Sequence, residues 1–173
     1  MRFVVVFAIL ACLGASVSAA SNRTYVASYP SWRQCDSRWK GDQLGTCSET
    51  ICKAGCAITS VAMFIAGRGY GGDPGKFNQW LKSNGGYVSG CDIVWGKVDN
   101  LGYSSFQGRE KPAYSVVCDG VNNGHGIIAN VNKGHHYVLV TGCTGSSSYT
   151  VNDPAGRQST FTHDSVLHFE VYH

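Results

Sequence analysis

The chain has no run of lysine or arginine. Its 14 basic residues are scattered through 173 positions, and the formal net charge is only +3. Nothing in it can follow a phosphate backbone, so nucleic-acid binding is not expected. It also lacks a stretch long enough to cross a bilayer, since the one continuous apolar run, Phe3 to Leu13, is about a dozen residues where about 20 are needed. Cys35, Cys47, Cys52 and Cys56 contain no CxxC pair. Zinc is therefore not expected, and neither is any other metal or cofactor. There is no internal repeat and no low-complexity tract.

The opening residues, MRFVVVFAILACLGASVSAA, combine one arginine, an apolar run and a small-residue end. Residues 1–20 thus read as a cleaved secretory signal, with Val17 and Ala19 fitting the cleavage rule. The remainder, residues 21–173, is expected to be one exported domain, soluble, monomeric and free of the membrane after signal removal. Asn22-Arg23-Thr24 is a glycosylation sequon, usable if the source is eukaryotic.

Of the eight cysteines, Cys12 would leave with the signal. In an oxidising compartment six of the remaining seven would pair as three disulfides, with 15 connectivities open. An odd cysteine in an exported chain is either an intermolecular bridge or a thiol kept free for a purpose. Cys56 is the best candidate for the odd one among Cys35, Cys47, Cys52, Cys56, Cys91, Cys118 and Cys143. It alone stands between a glycine and a long apolar helix, GCAITSVAMFIAG.

That helix is expected over roughly Cys56 to Ala66, with apolar residues on most of its circumference, so that it is enclosed rather than superficial. Before it, Tyr29 to Trp39 reads as an extended surface segment and residues 41–54 as a loop. After it, Asp73-Pro74 caps a second helix that Gly85-Gly86 stops. A third short helix is expected after Asp92, ending at Gly102, and Tyr114–Val121 is compatible with helix or strand. The second half changes character: residues 126–131, 136–142, 148–153 and 167–172 are short, β-branched or aromatic, and separated by glycine-rich turns. Helices first and antiparallel strands after predict an α+β fold.

A helix N-terminus favours the thiolate form of a cysteine placed there, and the thiolate is the nucleophile. Such a nucleophile needs a base within reach and a third group to orient that base. Six histidines are available. His136 opens the most apolar strand, and strand alternation would turn His135 to the opposite face. Asp153, in VNDPAG, comes after the next strand and could orient His136. Asp-Pro-x-Gly is equally ordinary turn chemistry, so both readings of Asp153 stand.

WRQCDSRW, AGCAITSVAMF, DPGKFNQWLKSNGGY, GHHYVLVTG and VNDPAG occur in one order from about Ser31 to Gly156. In that order they resemble the papain-like cysteine peptidases related to the bacteriocin-leader-processing peptidases. The resemblance implies a papain-like fold, with the nucleophile helix of a helical N-terminal half packed on a C-terminal antiparallel sheet. It implies Cys56 as nucleophile, His136 as general base and Asp153 as the residue orienting it. Gln34 takes the position of the family glutamine and would donate an N–H to the oxyanion with the backbone N–H of Cys56, worth roughly 3–4 kcal/mol. Asp36 and Trp39 look structural. Ala57 stands where relatives often have glycine.

The expected activity is that of a secreted thiol hydrolase cutting an amide bond of a peptide through an acyl-enzyme on Cys56. About ten residues between signal and Tyr29 leave no room for a long inhibitory prosegment, from which narrow specificity or a target outside the producing cell is expected. Two alternatives accompany it. One is a cell-wall amidase or endopeptidase acting on peptidoglycan peptides, which a wall-turbidity assay would reveal, although GCAITS is not the DCSG-like context of such enzymes. The other is a non-catalytic, disulfide-stabilised binding module, which predicts all seven cysteines oxidised and a covalent dimer.

Overall fold

A computed structural model describes residues 28–88 and 90–173. The signal reading of residues 1–20 and the Asn22 sequon lie outside the described residues. Among the described residues no helix is long and apolar enough to cross a membrane.

The frame is a six-stranded sheet, antiparallel at every pairing, with helices on both faces. Its strands are β1 (Phe106–Glu110), β2 (Gly126–Val131), β3 (His136–Thr144), β4 (Ser148–Asn152), β5 (Thr160–Thr162) and β6 (His168–Tyr172), in the spatial order β1-β6-β2-β3-β4-β5. The helices are α1 (Ile51–Ala54), α2 (Cys56–Gly67), α3 (Pro74–Ser83) and α4 (Tyr114–Asn122), with a 3₁₀ segment at Trp95–Leu101. This is an α+β fold, as the order of helices and strands predicts.

Alternation along the strands explains the two layers. Ile128, Leu139 and Tyr172 face α2 and α3, in one core with Trp39, Phe64, Phe77 and Leu81. Ile127, Ala129, Val138, Val140, Phe169 and Val171 face the other way, against Val117 and Val121 of α4. Every residue of β2 is buried, as a strand covered on both faces requires. Burying each large side chain of this set contributes about 1.5–3 kcal/mol.

As expected from its composition, α2 is enclosed, with Ile58 to Ile65 buried without a break. Its close seat on the sheet needs a glycine. A Cβ on Gly126 would lie 2.4 Å from the Phe64 ring, so only a bare backbone lets Phe64 reach Tyr172. One turn after Cys56, Ser60 Oγ donates to the Tyr137 carbonyl at 3.2 Å, which ties α2 to β3 beside His136.

Three expectations are corrected. The 41–54 stretch is not all loop, because its end forms the single turn α1, capped by the Thr50 side chain. One turn is too short to show a periodic pattern. Tyr29–Trp39 lies on the surface only in part: Ser31, Arg33, Cys35, Ser37 and Arg38 are exposed, but Gln34 and Trp39 are buried, and the Trp39 indole N–H donates to the Arg33 carbonyl at 2.9 Å. β1 and β5 escape the sequence pattern because they are short, largely exposed edge strands, and β1 carries a bulge by Gly108. Tyr114–Asn122 resolves as helix, and the segment after Asp92 as 3₁₀, stopped by Gly102 in the left-handed region.

Gly55 separates α1 from α2. A Cβ there would meet the Ile51 carbonyl oxygen at 2.4 Å, a backbone atom that cannot move aside. Gly55→Ala is expected to cost about 1–3 kcal/mol and to displace Cys56. A melting curve should show a fall of roughly 2–4 °C per kcal/mol.

Candidate active site

Cys56 is the first residue of α2, so its backbone N–H has no acceptor within that helix. The break at Gly55 keeps the preceding turn from continuing into α2. The Cys52 carbonyl instead accepts a hydrogen bond from Gln34 Nε2 at 2.7 Å. That bond fixes which end of the buried Gln34 amide is the donor end, since a flip would set two oxygens against each other. The amide nitrogen has a second N–H, and Gln34 lines the same cleft as Cys56, His136 and Asp153.

Six cysteines pair as Cys35–Cys52, Cys47–Cys91 and Cys118–Cys143, and Cys56 is free and half-buried. The sulfur that the odd count singled out is the one that opens into the cleft.

His136 is at the first position of β3. Its Nε2 lies 2.6 Å from Asp153 Oδ1, and its ring lines the same cleft as the Cys56 side chain. Burial opposes a charged ring, but the bond to Asp153 and the nearby Cys56 side chain outweigh it and raise His136 from 6.5 to about 9. His135 does not turn to the opposite face of the sheet. The strand starts after it, so alternation does not apply, and it stands exposed at the mouth of the same cleft.

Asp153 comes directly after β4, one step beyond the Leu139–Asn152 pair, which carries it to the His136 end of β3. Its carboxylate is nearly fully buried and accepts three backbone N–H groups: Ala155 on Oδ1 at 2.8 Å, and Arg157 and Gln158 on Oδ2 at 2.9 and 3.1 Å. Burial alone would push its pKa up. The bonds from His136 and these three amides hold it well below the usual carboxylate range. Asp153 thus organises its own turn and bonds His136 at the same time.

Three supports were not visible in the sequence. The Arg33 guanidinium donates to the Asp153 carbonyl, and the Gln34 backbone N–H donates to the Pro154 carbonyl at 3.0 Å. Asn152 Nδ2 reaches the Pro30 carbonyl at 3.3 Å. The segment bearing Gln34 is thus stitched to the turn bearing Asp153, over more than a hundred residues of chain. No local motif signals such a link. Asp36 engages Arg38, and Trp39 is core, in line with the structural reading of both.

Among the described residues, no group of three or more His, Cys, Asp or Glu side chains is placed to hold a metal ion. The arrangement offers a thiol, an imidazole able to move a proton, a carboxylate fixing that imidazole, and two N–H donors at one cleft.

Residues 26–171 match the model of the Peptidase_C39-like family. No curated protein and no solved structure gives a significant match. The match takes in the sheet up to Val171, one residue short of the end of β6, and all of Gln34, Cys56, His136 and Asp153. The chain belongs to the Peptidase_C39-like family and is peptidase-like at that level.

Proposed function

We propose that the protein is a cysteine peptidase-like thiol hydrolase exported from the cell, cutting an amide bond through an acyl-enzyme on Cys56. The observation that carries this reading is His136, bonded to Asp153, lining the same cleft as the one free cysteine among the described residues. Cys56, its proton passed to His136, attacks the carbonyl carbon as thiolate, and the oxyanion is met by its own N–H and the Gln34 amide. His136, held in orientation by Asp153, gives a proton to the leaving amine. Water, deprotonated by the same ring, then releases the acyl group. The three disulfides support work in an oxidising compartment.

Iodoacetamide applied without reductant should label a single thiol, Cys56, and stop hydrolysis of susceptible peptides in proportion. Full labelling with activity retained would refute the reading, as would a Cys56 that takes no label in folded protein.

The pH dependence is set by His136. Its protonated ring is the acid for the leaving amine, so activity should decline as pH rises through about 9. Asp153→Ala should move that alkaline limb down toward 6.5, the ordinary histidine value. A rate profile between neutral pH and about 10.5 checks both, and an unmoved limb would assign the titration to another group.

A further inference from the structure

Cys56 stands where two hollows meet. One, about 680 Å³, is lined by Gln34, Lys53, His135, His136, Asp153 and Arg157 among others. The other, about 490 Å³, includes Ala57, Asp92, Ile93, Trp95, Arg109 and Tyr137. Of the two, only the first contains His136. The leaving amine must take its proton from that ring, so the segment after the scissile bond lies in the first hollow and the acyl segment in the second.

The two hollows differ in charge. In the first, the only carboxylate is Asp153, whose oxygens are committed to His136 and three amides. Lys53 and Arg157 have no ion pair and no side-chain hydrogen bond among the described residues. Both also line an adjoining hollow of about 860 Å³ with Arg33, where the one acid, Asp36, is taken by Arg38. Arg157 is fixed at the site by its backbone N–H on Asp153, and Lys53 by the turn α1. In the second hollow the charge of Arg109 is answered by buried Glu170 at 2.7 Å, and Asp92 adds a negative one. The field is positive on the leaving side and neutral to negative on the acyl side.

We propose that the segment released by the cut carries a carboxylate close to the scissile bond, recognised by Lys53 and Arg157. This rests on the thiol-hydrolase reading and adds to it a class of substrate: peptides with an acidic residue, or the chain end itself, just after the bond cut. An acidic group on the acyl side meets Asp92 and no uncompensated cation.

The test uses four peptides with one acyl half, whose leaving half carries Glu or Gln and ends in a free acid or an amide. At low salt the Glu or free-acid forms should be cut with kcat/KM about 10-fold above the Gln amide. Glu against Gln, and acid against amide, tell whether a side chain or the chain end is read. In Lys53→Glu/Arg157→Glu the preference should vanish or reverse, with the Lys53→Gln/Arg157→Gln pair between. Equal rates on all four peptides, or a preference that survives charge reversal, overturns the proposal. A second measurement does not depend on peptide cleavage: the rate of Cys56 alkylation by anionic iodoacetate relative to neutral iodoacetamide. Charge reversal should lower that ratio about 3- to 10-fold, and an unchanged ratio overturns the proposal. A lowered ratio in a protein that cuts no peptide would uphold the cationic site and refute the hydrolase reading alone.

Discussion

Replacing Cys56 by alanine is expected to lower amide hydrolysis by about 10⁴- to 10⁶-fold, and His136→Ala to do nearly as much. The two act as one unit. The sulfur has its proton acceptor only in His136, and the ring has a nucleophile to serve only in Cys56. The double variant should therefore be no slower than the worse single one, since removing either already leaves only binding and the oxyanion donors. Cys56 is small, half-buried and outside the main core, so the alanine protein should melt near the parent temperature. Single-turnover rates for the three variants, with melting curves beside them, decide the matter. Additive losses would mean that Cys56 and His136 serve separate steps.

Asp153→Asn should cost about 10²- to 10⁴-fold in kcat, together with folding stability, although it changes one atom. Both oxygens of the carboxylate accept, Oδ1 from His136 and Ala155, Oδ2 from Arg157 and Gln158. An asparagine must set its NH₂ group against one of these pairs of donors, whichever way it is turned. The side chain is buried, so the misfit is not relieved by water, and each unmet bond costs about 1–3 kcal/mol.

The two pKa shifts bound this loss of stability in pH. Asp153 is depressed below its ordinary 3.8, so its contribution to stability is present above that value and lost as pH falls through the lower, folded one. His136 is raised, so its contribution is full below 6.5 and lost as pH rises through about 9. The stability gap between parent and Asp153→Asn should thus be widest between about 4 and 6.5 and narrow outside it. Denaturant titrations from about pH 2 to about pH 10 measure it. A gap that is flat with pH would mean that the pair is uncharged in the folded protein.

Features with a local cause could be read from the chain. The apolar run after Cys56 marked an enclosed helix, Asp73-Pro74 marked the start of α3, and the β-branched runs of the second half marked strands, whereas the valines of Tyr114–Val121 left helix and strand open. The odd cysteine was legible by counting, and the pairing of the other six was not, because connectivity depends on where α1, α4 and β3 come to rest. His136 and Asp153 were legible as ends of adjacent strands. The anchoring of Gln34 by the Cys52 carbonyl was not, nor was the hold of Arg33 on Asp153, since both join segments that no periodicity links. Lys53 and Arg157 looked like scattered surface charge until the fold set them on one side of the thiol.

The central claim is that Cys56 becomes covalently acylated through His136. It is tested most directly by mixing the enzyme with a peptidyl p-nitrophenyl ester, quenching in acid and reading the intact mass and the modified peptide. One acyl group on Cys56 is predicted, absent from Cys56→Ala and formed far more slowly in His136→Ala. Turnover of the ester with no adduct on Cys56, or an adduct unaffected by loss of His136, would contradict it.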